Sequence, residues 1–286
     1  MKSVRLFVLA TLILLLANFS GLTFASDSDS CFDAPLAVQE AVKSNVLILV
    51  FEYDDSVKDF VVVSQGTGAV VAPNYILSAP HVFTGEAGKD INKSKIKIFI
   101  RRNIQDVVTW EASVVDYKLS HELVLLKVSP LGEKIQIPGM DYKSNDPNLI
   151  GRCLKEKNTL SEQERSFSVK SVCVASSVKE GEKVWTNGFS SFGFLNNCFL
   201  ASALSVMEDN YITWGVGIDP IQFFQGHIEH GFSGGVMFNV HGEIAGNVFG
   251  FVRRSETIFM ASPPSSIKDF LSGIKDPDFI KTFNKK

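Results

Sequence analysis

The chain has no C-x-x-C pair, no long basic stripe, no internal repeat, no low-complexity block and no heptad run. Without paired cysteines at metal-ligand spacing there is no sequence basis for a structural zinc site, and no other cofactor fingerprint is present. A formal net charge of −3 with no clustered lysines or arginines argues against a nucleic-acid partner. Histidine is scarce as well, at five residues. Any chemistry needing an imidazole must therefore use His81, His121, His227, His230 or His241.

Only one stretch approaches membrane-spanning length, and it lies at the N-terminus. Lys2 and Arg5 form a basic head, Leu6 to Ala17 an apolar run and Thr23-Phe24-Ala25 a small-residue cleavage site. This is the pattern of a secretory signal over residues 1–25. Asn18, Ser20 and Gly21 weaken the alternative of an uncleaved anchor. The expectation is a secreted or periplasmic chain starting near Ser26, with no stable membrane insertion after cleavage. The four cysteines, Cys31, Cys153, Cys173 and Cys198, all follow the signal, so disulfides are permitted in three pairings. The charged run from Lys155 to Arg165 reads as a loop between two short strands, which favours Cys153 with Cys173.

Apolar residues make up 45% of the chain and include 23 Phe, ample for a sizeable core. Short apolar runs bounded by turns recur at Val46–Tyr53, Phe60–Ser64, Gly66–Val71, Tyr75–Val82, Lys95–Ile100, Val107–Val115 and Leu123–Val128. Residues Pro130 to Asn148 are rich in Gly, Pro, Asn and Asp and read as a connector. Strands resume near Ser168–Ala175, Lys183–Asn187, Cys198–Met207, Tyr211–Val216, Val236–Asn239 and Glu243–Phe251. Many short strands without interleaved helices indicate an all-β barrel or sandwich. Pro263 to Ser266, with Asp269 three residues on, reads as a capped helix start, whereas Lys275 to Lys286 reads as a poorly ordered tail.

The chemistry centres on Gly231-Phe232-Ser233-Gly234-Gly235. Glycines on both sides let a serine hydroxyl stand out from a tight turn, and such a turn can point backbone N–H groups at a developing oxyanion. Serine needs a base to take its proton and a third group to orient that base. His81 directly follows a strand and is aimed by a rigid element, and Glu122 opens the strand that follows His121.

In order, the chain carries Gly66-Thr67-Gly68, then His81, then Glu122-Leu123-Val124-Leu125-Leu126-Lys127-Val128, then the serine turn. This series resembles the trypsin-like, chymotrypsin-fold serine proteases, and most of all the bacterial HtrA/Deg-type branch. The similarity extends through Asn239 to Gly246 and Ala261 to Ser265, nearly the whole of the mature chain. The resemblance implies two six-stranded antiparallel barrels with a closing helix. Its layout here is a protease domain over 26–271, with a first barrel at about 44–130, a second at about 149–260, a helix at about 266–274 and a tail at 275–286. It also implies His81 as general base and acid, Glu122 as its orienting acid, Ser233 as nucleophile and the N–H groups of Gly231 and Ser233 as the oxyanion hole. The strand at Asn247, Val248 and Phe249 would pair with a peptide or protein substrate.

Three features depart from the family pattern. Glutamate stands where the family has aspartate; Asp116 is the alternative acid, and strand alignment places it in the preceding loop. Phe232 replaces the aspartate that receives a freed N-terminus in zymogen-type enzymes, and 15 residues follow Leu271 where HtrA-type proteins begin a PDZ domain, so recruitment of substrate through such a domain is not expected. Pocket specificity is open: His227 suits an acidic side chain, while Ile228, Phe223, Phe224 and Phe249 suit an apolar one and weigh slightly more. His227-Ile228-Glu229-His230 has metal-like residue types without a third ligand or a helix. A pseudoprotease that binds peptides without turnover is the first rival function. An α/β-hydrolase is the second, although that fold needs its acid and histidine after the serine and only His241 follows. The natural substrate and oligomeric state are not encoded legibly.

Overall fold

The computed structural model describes residues 31–283 apart from 32, 57, 85–94, 102–105, 130–132, 137–166, 168, 191–195, 208–210, 214–215, 219, 253–254 and 256. The signal segment 1–25 and Cys153 lie outside the described residues. A short helix α1 (Leu36–Ala41) and a three-ten turn (Val42–Ser44) lead into β1 (Asn45–Asp54), β2 (Asp59–Ala72), β3 (Tyr75–Ser78), α2 (His81–Thr84), β4 (Lys95–Arg101), β5 (Asp106–Lys118), β6 (Leu123–Val128) and β7 (Glu133–Gln136). The strands pair in the order β4-β1-β2-β3-β6-β5, and β4 pairs with β5 to close a ring of six, with β7 added to β5. A second closed barrel has the order β12-β15-β14-β13-β8-β9. Its strands are β8 (Lys183–Phe189), β9 (Asn196–Met207), β12 (Ile221–Gly226), β13 (Val236–Phe238), β14 (Ile244–Phe251) and β15 (Ile258–Ser262). A hairpin of β10 (Tyr211–Thr213) and β11 (Val216–Ile218) stands apart from it. Every ladder between these strands is antiparallel, which excludes the α/β-hydrolase alternative.

The near-continuous apolar runs of the first half have a simple cause: both faces of these strands are covered. Val70, Ile76, Val124 and Leu126 point into the first barrel with Val46, Ile48 and Val50. Their neighbours Ala69, Val71, Tyr75, Leu77, Leu123 and Leu125 point outward. That outer face is covered by α1, by Val236, Phe238 and Ile244 of the second barrel, and by the C-terminal helices α3 (Pro264–Gly273) and α4 (Pro277–Phe283). The first core also runs across the junction to Ile221, Phe249 and Met260, while the second barrel encloses Phe224, Phe232, Met237 and Phe259.

Several expectations are corrected. Cys31 bonds Cys198 of β9 and Cys173 is free and exposed, while its expected partner Cys153 lies outside the described residues. Part of the expected connector is strand β7. The segment expected as a strand near Ser168–Ala175 instead bridges the barrels, through Val172 N–H to the Val70 carbonyl and Ala175 N–H to the Ile244 carbonyl. Helix α3 starts without a side-chain cap; Ser266 Oγ is buried without a partner, and Asp269 pairs with Lys118 at 2.7 Å.

The supposed tail is α4, with Phe279 buried edge-on against Tyr75 at 5.1 Å between centroids. Asp276 caps it, Oδ1 accepting from the N–H groups of Asp278 (2.9 Å) and Phe279 (3.0 Å) and from the Tyr75 hydroxyl (2.7 Å). Burial alone would raise the Asp276 carboxyl, but the Tyr75 hydroxyl, the Phe279 N–H and Lys127 hold it down at about 2, against an ordinary 3.8. A depressed carboxyl contributes stability above its unfolded value that is lost as pH falls through the folded one. Asp276→Asn keeps a capping oxygen but loses the charge. It is expected to cost about 1–2 kcal/mol at neutral pH, screening included. Thermal melts should show this gap shrinking below about pH 4 and closing near pH 2. A gap independent of pH would assign the effect to packing instead.

Candidate active site

His81 opens α2, separated from the end of β3 by Ala79 and Pro80. Val82 and Phe83 are buried behind it, and their N–H groups bond the carbonyls of Ala79 (3.2 Å) and Pro80 (2.9 Å). This anchors the imidazole's backbone from below and leaves the ring at the junction of the barrels. His81 Nδ1 lies 3.1 Å from Glu122 Oε2. A carboxylate facing Nδ1 selects the Nδ1–H tautomer and makes Nε2 the ring's acceptor.

Glu122 sits at φ 49°, ψ 46°, as the residue that ends a three-ten turn over Leu119–His121. A non-glycine residue there costs of order 1–3 kcal/mol unless its surroundings hold it. Its surroundings come from the second barrel. Ser262 Oγ donates to the His121 carbonyl and Asn247 Nδ2 lies 3.5 Å from the Glu122 carbonyl. Asn247 and Ser262 face each other across β14 and β15. The left-handed turn directs a 3% exposed carboxylate at His81 rather than at solvent. Asp116 is not in the preceding loop as the sequence alignment expects. It lies within β5 at a bulge opposite Leu125, is exposed, and accepts from the Tyr117 N–H at 2.8 Å.

The serine turn is built from a short hydrogen-bonded series: Phe232 N–H to Glu229 (3.1 Å), Gly235 N–H to Phe232 (2.7 Å) and Gly234 N–H to Val248 (2.7 Å). Gly231 and Gly234 take φ values of 100° and 80°, which only glycine adopts at little cost. Among the described residues the N–H groups of Gly231 and Ser233 donate to no carbonyl. The turn sits against β2 and against the segment that carries His81. A Cβ on Gly66 would be 2.6 Å from Val82 and 2.9 Å from the Ser233 carbonyl, and one on Gly234 would be 2.8 Å from Ala79 N. Phe232 fills the second barrel's core and stacks on Phe199 at 5.9 Å, so no carboxylate is present there to receive an N-terminus.

The remaining site candidates divide sharply by exposure. His227 is exposed, packs edge-on against Phe199 at 4.5 Å and places Nε2 3.5 Å from Glu229 Oε1. Ile228 and Val248 belong to the second barrel's core, Phe249 to the core shared between barrels, and Asn247 is fully buried. Any contact of those four with a ligand runs through backbone. Phe224 is likewise spent on the core. Thr67 and Ser262, whose roles sequence reasoning passed over, and Asn247, expected only to pair with substrate, hydrogen-bond between the two barrels at the site. Only Thr67 had a signal, its place between two glycines in a motif already singled out.

Two antiparallel six-strand rings meeting at a His–carboxylate pair and a glycine-flanked serine turn define a chymotrypsin-like serine protease. The chain belongs to the trypsin-like peptidase domain family, whose profile matches residues 66–246. Its fold is similar to that of the active form of the Rv3671c protease from M. tuberculosis, at 17% identity and a TM-score of 0.55, over 85% of this chain and 88% of that one. It is also similar in fold to Deg5, at 14% identity and a TM-score of 0.55, over 86% and 94% of the two chains. No curated protein matches the sequence.

Proposed function

We propose that the chain is an exported serine endopeptidase that cleaves protein or peptide substrates through an acyl-enzyme, with residues 26–271 as its catalytic unit. The observation that carries this is the 3.1 Å contact of His81 with Glu122 beside a serine turn whose Gly231 and Ser233 N–H groups donate to no carbonyl among the described residues. His81 Nε2 takes the Ser233 Oγ proton as Oγ bonds the scissile carbonyl carbon, and the carbonyl oxygen becomes an oxyanion held by Gly231 and Ser233 N–H. The imidazolium returns that proton to the leaving amine as the C–N bond breaks. Water then attacks the ester, giving a proton to His81, which passes it back to Ser233 as the acid leaves. Glu122 keeps the ring in the required tautomer and offsets its transient charge. Export rests on the signal pattern of residues 1–25 and on the Cys31–Cys198 disulfide, which persists in oxidising compartments. Among the described residues no helix is long and apolar enough to cross a membrane.

A fluorophosphonate probe with intact-mass detection tests the reading. One adduct on the wild type and none on Ser233→Ala is the expected result, together with cleavage of a peptide library by the wild type. Well-folded wild type that takes no adduct would assign the chain to the pseudoproteases.

A further inference from the structure

Every polar atom of Thr67 is engaged, and three of its four hydrogen bonds cross from the first barrel to the second. Thr67 lies on β2 between Gly66 and Gly68 and is fully buried. Its N–H donates to the Ser233 carbonyl at 2.8 Å, and its hydroxyl donates to the Gly231 carbonyl at 2.8 Å. The same hydroxyl oxygen accepts from the Phe189 N–H at 3.0 Å. The fourth bond, from Ser78 Oγ to its carbonyl at 2.8 Å, stays within the first barrel and fixes the residue itself.

A turn with glycine at φ 100° has no side chain at that point to hold its peptide planes, so they rotate as a unit at little steric cost. Rotation about Gly231 would carry its N–H away from its neighbour on Ser233. Thr67 grips the carbonyls at both ends of this arc, one with its hydroxyl and one with its backbone. The β-branched side chain has a stiff χ1, so the hydroxyl direction is set by the strand. Accepting from Phe189 also leaves the hydroxyl proton a single sensible target, the Gly231 carbonyl. We propose that Thr67 is a positioning residue for the oxyanion hole: from the first barrel it holds the Gly231 and Ser233 carbonyls, which fixes the backbone just C-terminal to the Gly231 and Ser233 N–H groups so that those two N–H groups converge. This rests on the proteolytic reading above and adds that the hole forms only when the barrels are docked.

The test compares Thr67→Val, which keeps the shape and removes the hydroxyl, with Thr67→Ser, which keeps the hydroxyl. The wild type is first shown to react with the fluorophosphonate and to turn over a peptide. For Thr67→Val, kcat is expected to fall about 10–100-fold with KM within about threefold, because a mis-aimed donor loses part of the roughly 10²–10³ attributed to a whole one. Affinity for a peptide boronate, which forms a tetrahedral adduct, should fall by a similar factor, and Thr67→Ser should restore both. A merely structural role would lower the melting temperature while leaving the boronate affinity of the folded fraction intact. Thr67→Cys, similar in size with a weak donor, is the second variant if Thr67→Val does not fold; it should fall between the other two. Full kcat and boronate affinity in Thr67→Val or Thr67→Cys, or equal losses in Thr67→Ser, would overturn the proposal while leaving the proteolytic reading standing. A wild type that neither labels nor cleaves would overturn both.

Discussion

Glu122→Gln is expected to lower kcat about 10³–10⁴-fold, with Asp116→Asn within about threefold of wild type. Losing the carboxylate of a Ser-His-Asp triad costs about 10⁴, chiefly through the wrong histidine tautomer. The same logic holds at the 3.1 Å contact here: a glutamine can turn its NH₂ toward Nδ1, which places the ring proton on Nε2 and removes the base. Glu122→Asp is a sharper probe of the glutamate itself. The backbone at φ 49° is held by the second barrel and cannot follow a shorter side chain, so the carboxylate withdraws by more than 1 Å. Displacements of that size cost on the order of 10²-fold, and a loss of about 10–100-fold is expected. Steady-state kinetics with melting temperatures for each variant decides the matter. Comparable losses in Asp116→Asn and Glu122→Gln, or the reverse order, would remove Glu122 from the proposed triad.

The outline of this site was legible because its parts are local. His81, Glu122 and Ser233 each end or open a short segment whose composition reports its geometry: Ala79-Pro80 ends β3, an apolar run follows Glu122, and glycines flank Ser233. What holds the parts in place was not legible. Thr67 acts on residues 122 to 166 positions away in sequence, Ser262 on His121 and Asn247 on Glu122, and no local pattern marks a side chain for a partner at such range. Asp116 was misplaced for a related reason: β5 continues through a bulge to Lys118, so a residue that reads as loop is paired strand.

The fold divides in the same way. Strands buried on both faces, β1, β3 and β6, stand out as apolar runs, whereas β12 was missed because Gln222 interrupts it. That side chain is buried and donates to the Leu204 carbonyl at 3.1 Å, which satisfies it without an apolar pattern. The Cys31–Cys198 bond joins residues 167 apart, and pairing by proximity in sequence had no access to it. Helix α4 has a short Asp276-Pro277-Asp278 start that reads as turn chemistry. Only the buried seat of Phe279 beneath Tyr75 makes it a helix worth folding.

Gly234→Ala is expected to destabilise the protein by about 4 kcal/mol or more, whereas Gly181→Ala should cost about 1 kcal/mol. The two glycines share a backbone conformation, φ 80° and 79°, so the cost of placing an L-residue there is common to both. Their surroundings differ completely. A Cβ on Gly181 meets nothing within 4 Å, but one on Gly234 overlaps Ser78 Oγ and the Thr67 carbonyl and stands 2.8 Å from Ala79 N. Two of those atoms are backbone of the first barrel and cannot step aside as a side chain would. Relief requires the serine turn to move outward, which strains the Gly234–Val248 and Thr67–Ser233 hydrogen bonds that join turn to barrel. Urea unfolding of the two variants, with fluorophosphonate labelling of the Gly234→Ala protein that remains folded, reads both consequences. Equal and small shifts in the two midpoints would mean that the turn is not clamped between the barrels. A folded Gly234→Ala protein labelling at the wild-type rate would mean that clamping does not set the reactivity of Ser233.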